Sequence, residues 1–460
     1  MTRFLFKRIV LFLPTLFIVV LIAFFLSKLV PGDPVESLMT MQGISPESPI
    51  AGKEYARIYH KLHLNEPTFY FSVLPNFYGE YSYDIPDKEQ RELTDALLKQ
   101  KISYRLTEEY IQIRKVFLSQ SRQDSISLAL WSDLIRQIQF EKDINVLSQL
   151  SAHSGHENST IQSTMDKLLK TIQLMGSSRV QFYYPVFRWH GTSNQFHNWL
   201  RNIILGDFGF SVKDGRAVLP KIGTALQFTL LLAITGLILS AFISIPLGLW
   251  AGIRRNSLFD RLFQVFGFML YAIPVFWLAS LLIIYFTSDR YGYLFNIFPP
   301  PGLWYIPQGQ SVIITLLRNS NQLILPIICM VANDIAPLSM IVRNNVIHQQ
   351  SKPYVMTAYA KGLSKAQTLY RHIFPNVLLP LITILGGRLA AGISGALIIE
   401  VIFNIPGMGR LMYDSIYTAD WNVVLGILIV ISTITIAVLT ITDLMYAWAD
   451  PRIRTQIQKR

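Results

Sequence analysis

The chain has 460 residues, 51% of them hydrophobic and only 15% charged, against about 25% charged in an average soluble domain. Its 41 Lys+Arg and 29 Asp+Glu give a net charge of +12, yet residues 31–222 hold 21 basic and 21 acidic residues, so the whole excess lies in the other 268, the most apolar part. With Cys329 as the single cysteine, this distribution excludes a disulfide scaffold, a nucleic-acid-binding tail and an ordinary soluble enzyme, and predicts a membrane protein with basic residues in short loops.

A bilayer-crossing helix needs about 20 mostly apolar residues. The first such stretch, 9–30, follows Arg3, Lys7 and Arg8. It is longer than a secretory signal core, and Ser27-Lys28-Leu29-Val30-Pro31 is a poor cleavage site, so it reads as a retained helix. Residues 31–222 then form one long loop. Within it, apolar residues recur at helix spacing near 88–102, 106–120, 126–140 and 159–175, as in Leu93, Leu97 and Leu98 or Leu168, Leu169 and Ile172, which predicts a small helical domain. His153 and His156 sit in a polar loop with no cysteine, where solvated histidines are the simpler reading than a metal site, and Asn158-Ser-Thr matches a glycosylation sequon.

Five further apolar stretches follow, at 224–250, 262–287, 323–347, 377–402 and 423–448. The basic residues beside the six spans set their orientation. Residues 1–8 carry +3, 253–261 carry +2, 343–376 carry +5 and 449–460 carry +3, and these segments alternate with the other loops, the rest of the chain summing to −1. The reading is an all-α polytopic membrane protein with six transmembrane helices, both termini cytoplasmic, and an inserted helical extracytoplasmic domain. Its parts are the first span at 1–30, the extracytoplasmic region 31–222, a five-helix core at 223–448 and a cytoplasmic tail at 449–460.

No P-loop, nucleophile elbow or H-E-x-x-H motif occurs, so no catalytic residue, metal or cofactor is assigned, and any ATP must be bound by a partner. The most informative segment lies on the cytoplasmic side, from Tyr354 to Asn376. Small residues at Thr357 and Ala358 precede Gly362, and Pro375 follows it. This order predicts two short helices joined at the glycine, with a proline stop before the fifth span. An amphipathic interfacial helix is the competing reading.

The segment resembles the coupling loop of bacterial ATP-binding-cassette importer permeases. It matches the T-A-x-A-K-G-L-S…H-I-x-P-N form of the oligopeptide/dipeptide/nickel branch through Thr357, Ala358, Ala360, Lys361, Gly362, Leu363, Ser364, His372 and Pro375. Further pieces fall in the order found in the first, B-type permease subunit. They are Arg8 to Pro14-Thr15, Pro31-Gly-Asp-Pro34, Gly206-Asp-Phe-Gly-Phe-Ser211, Ile273-Pro-Val-Phe-Trp277, Glu400 to Arg410, Asp420-Trp421 and Asp443-Leu-Met-Tyr446 with Asp450-Pro-Arg452. The likeness covers roughly 1–75 and 184–460.

The resemblance implies a chain in the bacterial inner membrane that pairs with a second permease, docks segment 350–376 on a cytoplasmic ATPase, and receives di- or oligopeptides from an extracytoplasmic substrate-binding protein. Membrane lipids complete its surroundings, and no nucleic acid is implied. Permeases of this class also carry nickel and other small solutes. A gradient-driven secondary transporter is the reading from a different class, against which six spans without a visible repeat argue.

Two features depart from the family pattern. Met356 stands where the general coupling motif has Glu, and residues 76–183 have no counterpart, serving either as a docking surface or as a peripheral addition. Asp334 and Arg388 also lie outside the pattern. Charges within apolar spans rarely face lipid, so they either pair or line the translocation path.

Overall fold

The computed structural model describes residues 2–30, 32–45, 48, 50–78, 81, 83–123, 132–147, 160–177, 184–288, 296–302 and 318–449. His153, His156, the Asn158 sequon, the 126–131 start of one expected helix and the 450–460 tail lie outside them. The chain divides into two compact units, Pro31–Leu205 and a second made of Met1–Val30 with Gly206–Arg460.

After α1 (Thr2–Leu29), the Pro31–Leu205 unit opens with α2 (Pro34–Met41) and α3 (Ala51–Lys61). Asp33 caps α2, its Oδ1 accepting from the Val35 N–H at 2.8 Å while Oδ2 accepts from the Tyr55 hydroxyl at 2.5 Å. Strand β1 (Phe71–Pro75) pairs antiparallel with β2 (Pro185–Trp189), Phe71 opposite Trp189 and Pro75 opposite Pro185. Everything between them therefore leaves and returns at one end of a two-stranded ladder. This ladder and an isolated bridge between Phe210 and Ala217 are the extended pairings among the described residues of an otherwise helical chain. The all-helical expectation missed the ladder.

Between the strands lie α4 (Lys88–Lys99), α5 (Tyr104–Gln123), α6 (Ser132–Phe140), α7 (Ile144–Leu147) and α8 (Thr160–Ser177). Their apolar faces meet in one core that includes Leu93, Leu97, Tyr110, Phe117, Leu168 and Ile172. Arg114 is buried beneath it and donates to the carbonyls of Ile138 at 3.0 Å and Gln139 at 2.9 Å, satisfying the open end of α6. The unit ends with α9 (Gln195–Ile204).

The second unit contains α1, α10 (Val218–Ile253), α11 (Leu258–Ala272), α12 (Val275–Phe286), α13 (Ser320–Gln350), α14 (Pro353–Ala360), α15 (Lys365–Ile393), α16 (Leu397–Ile402), α17 (Met408–Tyr417) and α18 (Trp421–Ala449). Among the described residues, five helices are long and apolar enough to cross a bilayer, and the α11–α12 pair makes a sixth if taken as one bent span. Large apolar side chains stay exposed along them, Phe242 by 76% and Phe266 by 64%, as a lipid-facing surface requires.

Three expected segments take a different course. The 262–287 stretch is broken by 88° at Ile273-Pro274, because proline offers no N–H and drives the residue before it into extended backbone. The 377–402 stretch stops as a helix at Ile393. The chain then turns at Gly395 (φ +100°), where a Cβ would lie 2.8 Å from the Gly409 nitrogen, and resumes as the short α16. Pro375, expected as a stop, lies inside the continuous run of α15.

Close helix contact organises the core of this unit. A Cβ on Gly248 of α10 would stand 2.5 Å from the Ser339 carbonyl of α13, and one on Gly252 would stand 2.8 Å from the Val346 side chain, so the two backbones touch where glycine permits it.

Candidate coupling segment and charged sites of the spans

α14 begins with Pro353 in its first turn, where the missing N–H goes unnoticed, and ends in a Schellman motif. The Leu363 N–H donates to the Ala358 carbonyl at 3.2 Å and the Gly362 N–H to the Tyr359 carbonyl at 2.9 Å, with Gly362 at φ +80°. The next helix starts at once. Ser364 accepts from the Gln367 N–H at 3.2 Å, and the Gln367 side chain accepts from the Ser364 N–H at 3.0 Å, forming a reciprocal capping box. The glycine turn and the cap thus lie back to back and fix a tight corner.

Beyond it, Leu369–Ile373 form a π segment that leads without a break into the rest of α15. The wider π turn reorganises the backbone pairing just ahead of Pro375, and Asn376 Nδ2 donates to the His372 carbonyl at 2.7 Å. This is the physical reason that Pro375 does not end the helix.

The inner face of the corner is apolar. Val355, Leu369, Ile373 and Val377 pack in one cluster with Leu249 of α10 and with Val342 and Val346 of α13. The corner is therefore packed directly on two long apolar helices. The outer face presents Thr357, Ala360, Lys361, Gly362, Ser364 and Pro375 to solvent, while Leu363 and His372 are half-buried. Ala358 is buried, so its small side chain serves packing within this chain. Met356 is 69% exposed, and no atom lies within 4 Å of the position a Gly362 Cβ would take.

Beside this corner is a buried ion pair that charge counting along the sequence does not reveal. Arg343 of α13 grips Asp260 of α11 with both forks, Nε to Oδ1 at 2.5 Å and Nη2 to Oδ2 at 2.7 Å, and the Asn256 N–H adds a bond to Oδ2 at 2.9 Å. Asp260 is fully buried. The pair ties the loop after α10 to the end of α13 that leads into the coupling segment.

Asp334 and Arg388 come together, Arg388 Nη1 lying 2.5 Å from Asp334 Oδ1. Asp334 also lines a cavity of about 370 Å³ with Val275, Met330, Asn333, Gly395 and Leu397, beside both the α11–α12 bend and the turn after α15.

Other quoted pieces meet in space. Ser211 donates its hydroxyl to Asp420, whose Oδ1 also accepts from the Val212 N–H at 3.0 Å, joining two segments far apart in the chain. The buried Glu400 carboxylate accepts from the Thr229 hydroxyl at 2.8 Å and from the Arg410 N–H at 3.0 Å, so it satisfies the start of α17. Gly407 fits beside that carboxylate, since a Cβ there would lie 2.3 Å from its carbon.

Residues 244–455, which contain this coupling segment, match the family described as binding-protein-dependent transport system inner membrane component. The chain is 34% identical over 260 residues to an oligopeptide transport system permease protein of Bacillus subtilis, covering 56% of this chain and 79% of the relative. It is 32% identical over 274 residues to a probable D,D-dipeptide transport system permease protein of Escherichia coli, with 56% and 79% covered. A peptidoglycan transport system permease protein of Agrobacterium fabrum is 34% identical over 269 residues, with 56% and 71% covered. The shared stretch is a much larger share of each relative than of this chain, so the relatives are shorter. Taken together with the span architecture, these matches show that the chain belongs to the binding-protein-dependent transport system inner membrane components and is a permease subunit of an ATP-binding-cassette importer.

Proposed function

We propose that this chain forms half of a translocation path for di- and oligopeptides and couples that path to a cytoplasmic ATPase through residues 354–376. It does so with six spans, both termini in the cytoplasm and the Pro31–Leu205 unit outside. A second permease subunit completes the path, and a substrate-binding protein delivers the peptide from the extracytoplasmic side. ATP is bound by the ATPase alone. The paired Asp334 and Arg388 line the path, where they meet the ends of a zwitterionic peptide. The transport names of the relatives, which include oligopeptide, di/tripeptide and dipeptide systems, support the substrate class.

The observation that carries the coupling role is the corner at Gly362. It exposes Thr357, Ala360, Lys361 and Ser364 on one side while its other side is packed on α10 and α13. A partner pressing on the exposed side moves the spans behind it.

Gly362→Trp tests this reading. A side chain at φ +80° costs about 1–2 kcal/mol of backbone strain, which a packed membrane protein tolerates, and it meets nothing in its own chain. The bulk projects outward instead. The expected result is normal abundance in the membrane with loss of the co-purifying ATPase, and an unchanged yield of ATPase contradicts the coupling role.

A further inference from the structure

A cavity of about 500 Å³ opens between the start of α10 and the α16–α17 turn, lined by Asp214, Arg216, Lys221, Pro406, Arg410 and Asp414 among others. It stands at the far end of α10 from the coupling segment. Lys221 lines the cavity and Leu249 packs against the coupling corner, roughly 40 Å apart along a continuous helix.

The charges in it are unequally committed. Lys221 Nζ is held by Asp214 Oδ2 at 2.9 Å and donates to the Ser211 hydroxyl at 3.0 Å. Arg410 Nε stands 3.8 Å from Asp414 Oδ2, beyond hydrogen-bond length. Arg216 spends only its backbone, the N–H on Asp214 Oδ1 at 3.2 Å and the carbonyl on the Ser211 N–H at 2.8 Å. Its guanidinium makes no ion pair or hydrogen bond among the described residues. Three cations line the cavity with two carboxylates, and Asp420 Oδ2 stands 4.0 Å from Lys221 Nζ behind them, so the contact a ligand can gain is the free guanidinium fork of Arg216.

We propose that this cavity is a receiving site for short peptides, in which Arg216, seconded by Arg410, binds the C-terminal carboxylate before the peptide enters the spans. The inference rests on the peptide-import reading above and names the group of the substrate that is recognised. A planar guanidinium matches a carboxylate in a two-pronged arrangement. The volume lies within the roughly 300–1,000 Å³ of small-ligand sites. Asp214 and Asp414 favour a ligand that brings its own ammonium and disfavour a dianionic phosphate, which would meet two carboxylates beside the cation.

The test is ATP-dependent uptake by the whole importer of a matched pair, a labelled tripeptide with a free C-terminus and the same peptide as its C-terminal amide. The unaltered importer takes up the free acid at the lower half-saturating concentration. Arg216→Ala raises that concentration about tenfold for the free acid, far more than for the amide, and Arg216→Lys recovers part of the difference. Lys213→Ala, an exposed neighbour that does not line the cavity, leaves uptake of both peptides and ATP hydrolysis unchanged. Arg216 is itself exposed, so its replacement leaves the fold intact. Equal handling of the two peptides by the unaltered importer, or equal shifts for both in Arg216→Ala, overturns the site. Failure of the unaltered importer to take up either peptide overturns the peptide reading itself and this assignment with it.

Discussion

Asp260 and Arg343 illustrate what a single residue pair contributes to this protein. Their double hydrogen bond is buried, and a buried ion pair is weak evidence for net stability because desolvation opposes the attraction. Removing one partner is different, since it strands a charge away from water. Arg343→Met is expected to lower the stability of the detergent-solubilised chain by about 3–5 kcal/mol, read as a drop in Tm, and Asp260→Leu added to it is expected to restore most of that loss. A double variant no more stable than the single one contradicts this view of the pair. Gly362 was legible in the sequence because a Gly-Leu-Ser break between helix formers has few backbone solutions. The Asp260–Arg343 pair was not, because charges can be counted along a chain but partners separated by a span cannot be assigned from it. For Asp334 and Arg388 the sequence left pairing and path-lining open; the geometry pairs them, and Asp334 also lines a cavity.

The helices depend on where glycine and proline fall. Pro246 and Pro337 lie inside continuous helices, whereas Pro274 marks an 88° break, so the same residue type has opposite outcomes according to what the neighbouring elements allow. Pro375 is tolerated because a π segment precedes it. These differences arise from tertiary packing, which explains why apolar length located the long apolar helices while the size of the break at Pro274 and the stop at Ile393 could not be read from it. Glycines divide in the same way. Gly248→Ala places a methyl 2.5 Å from the Ser339 carbonyl and is expected to destabilise the chain by about 1–3 kcal/mol as α10 and α13 are forced apart. Gly387 has no atom within 4 Å of its Cβ position, so Gly387→Ala is expected to be neutral or slightly stabilising. Melting curves of the two variants check this, and equal losses of Tm contradict it.

At the scale of the molecule, the excess of basic residues lies wholly outside 31–222, and its largest share, +5, falls in 343–376 with the proposed docking corner. The helices of the 76–183 segment were legible from their leucine spacing. The ladder that carries the segment was not, because its two strands of five residues have no turn between them to announce a hairpin. Their pairing puts Pro75 opposite Pro185, so a short Asn-Gly-containing turn can replace 76–183 without moving either strand. Lys88 to Glu36 at 2.6 Å and Arg91 to the Tyr55 hydroxyl at 2.9 Å would be lost, but the 76–183 core is built from its own helices. The shortened chain is expected to reach the membrane and retain the ATPase. Its disappearance from the membrane contradicts the reading of 76–183 as an added domain.

The proposed role requires that this permease conduct peptides under ATP control. The most direct measurement is uptake of labelled di- and tripeptides by vesicles holding the complete importer, with and without this chain, and with ATP or an ion gradient as the only energy source. The expected result is uptake that requires both ATP and this chain. Uptake that persists without the chain, or that an ion gradient drives in the absence of ATP, would contradict it.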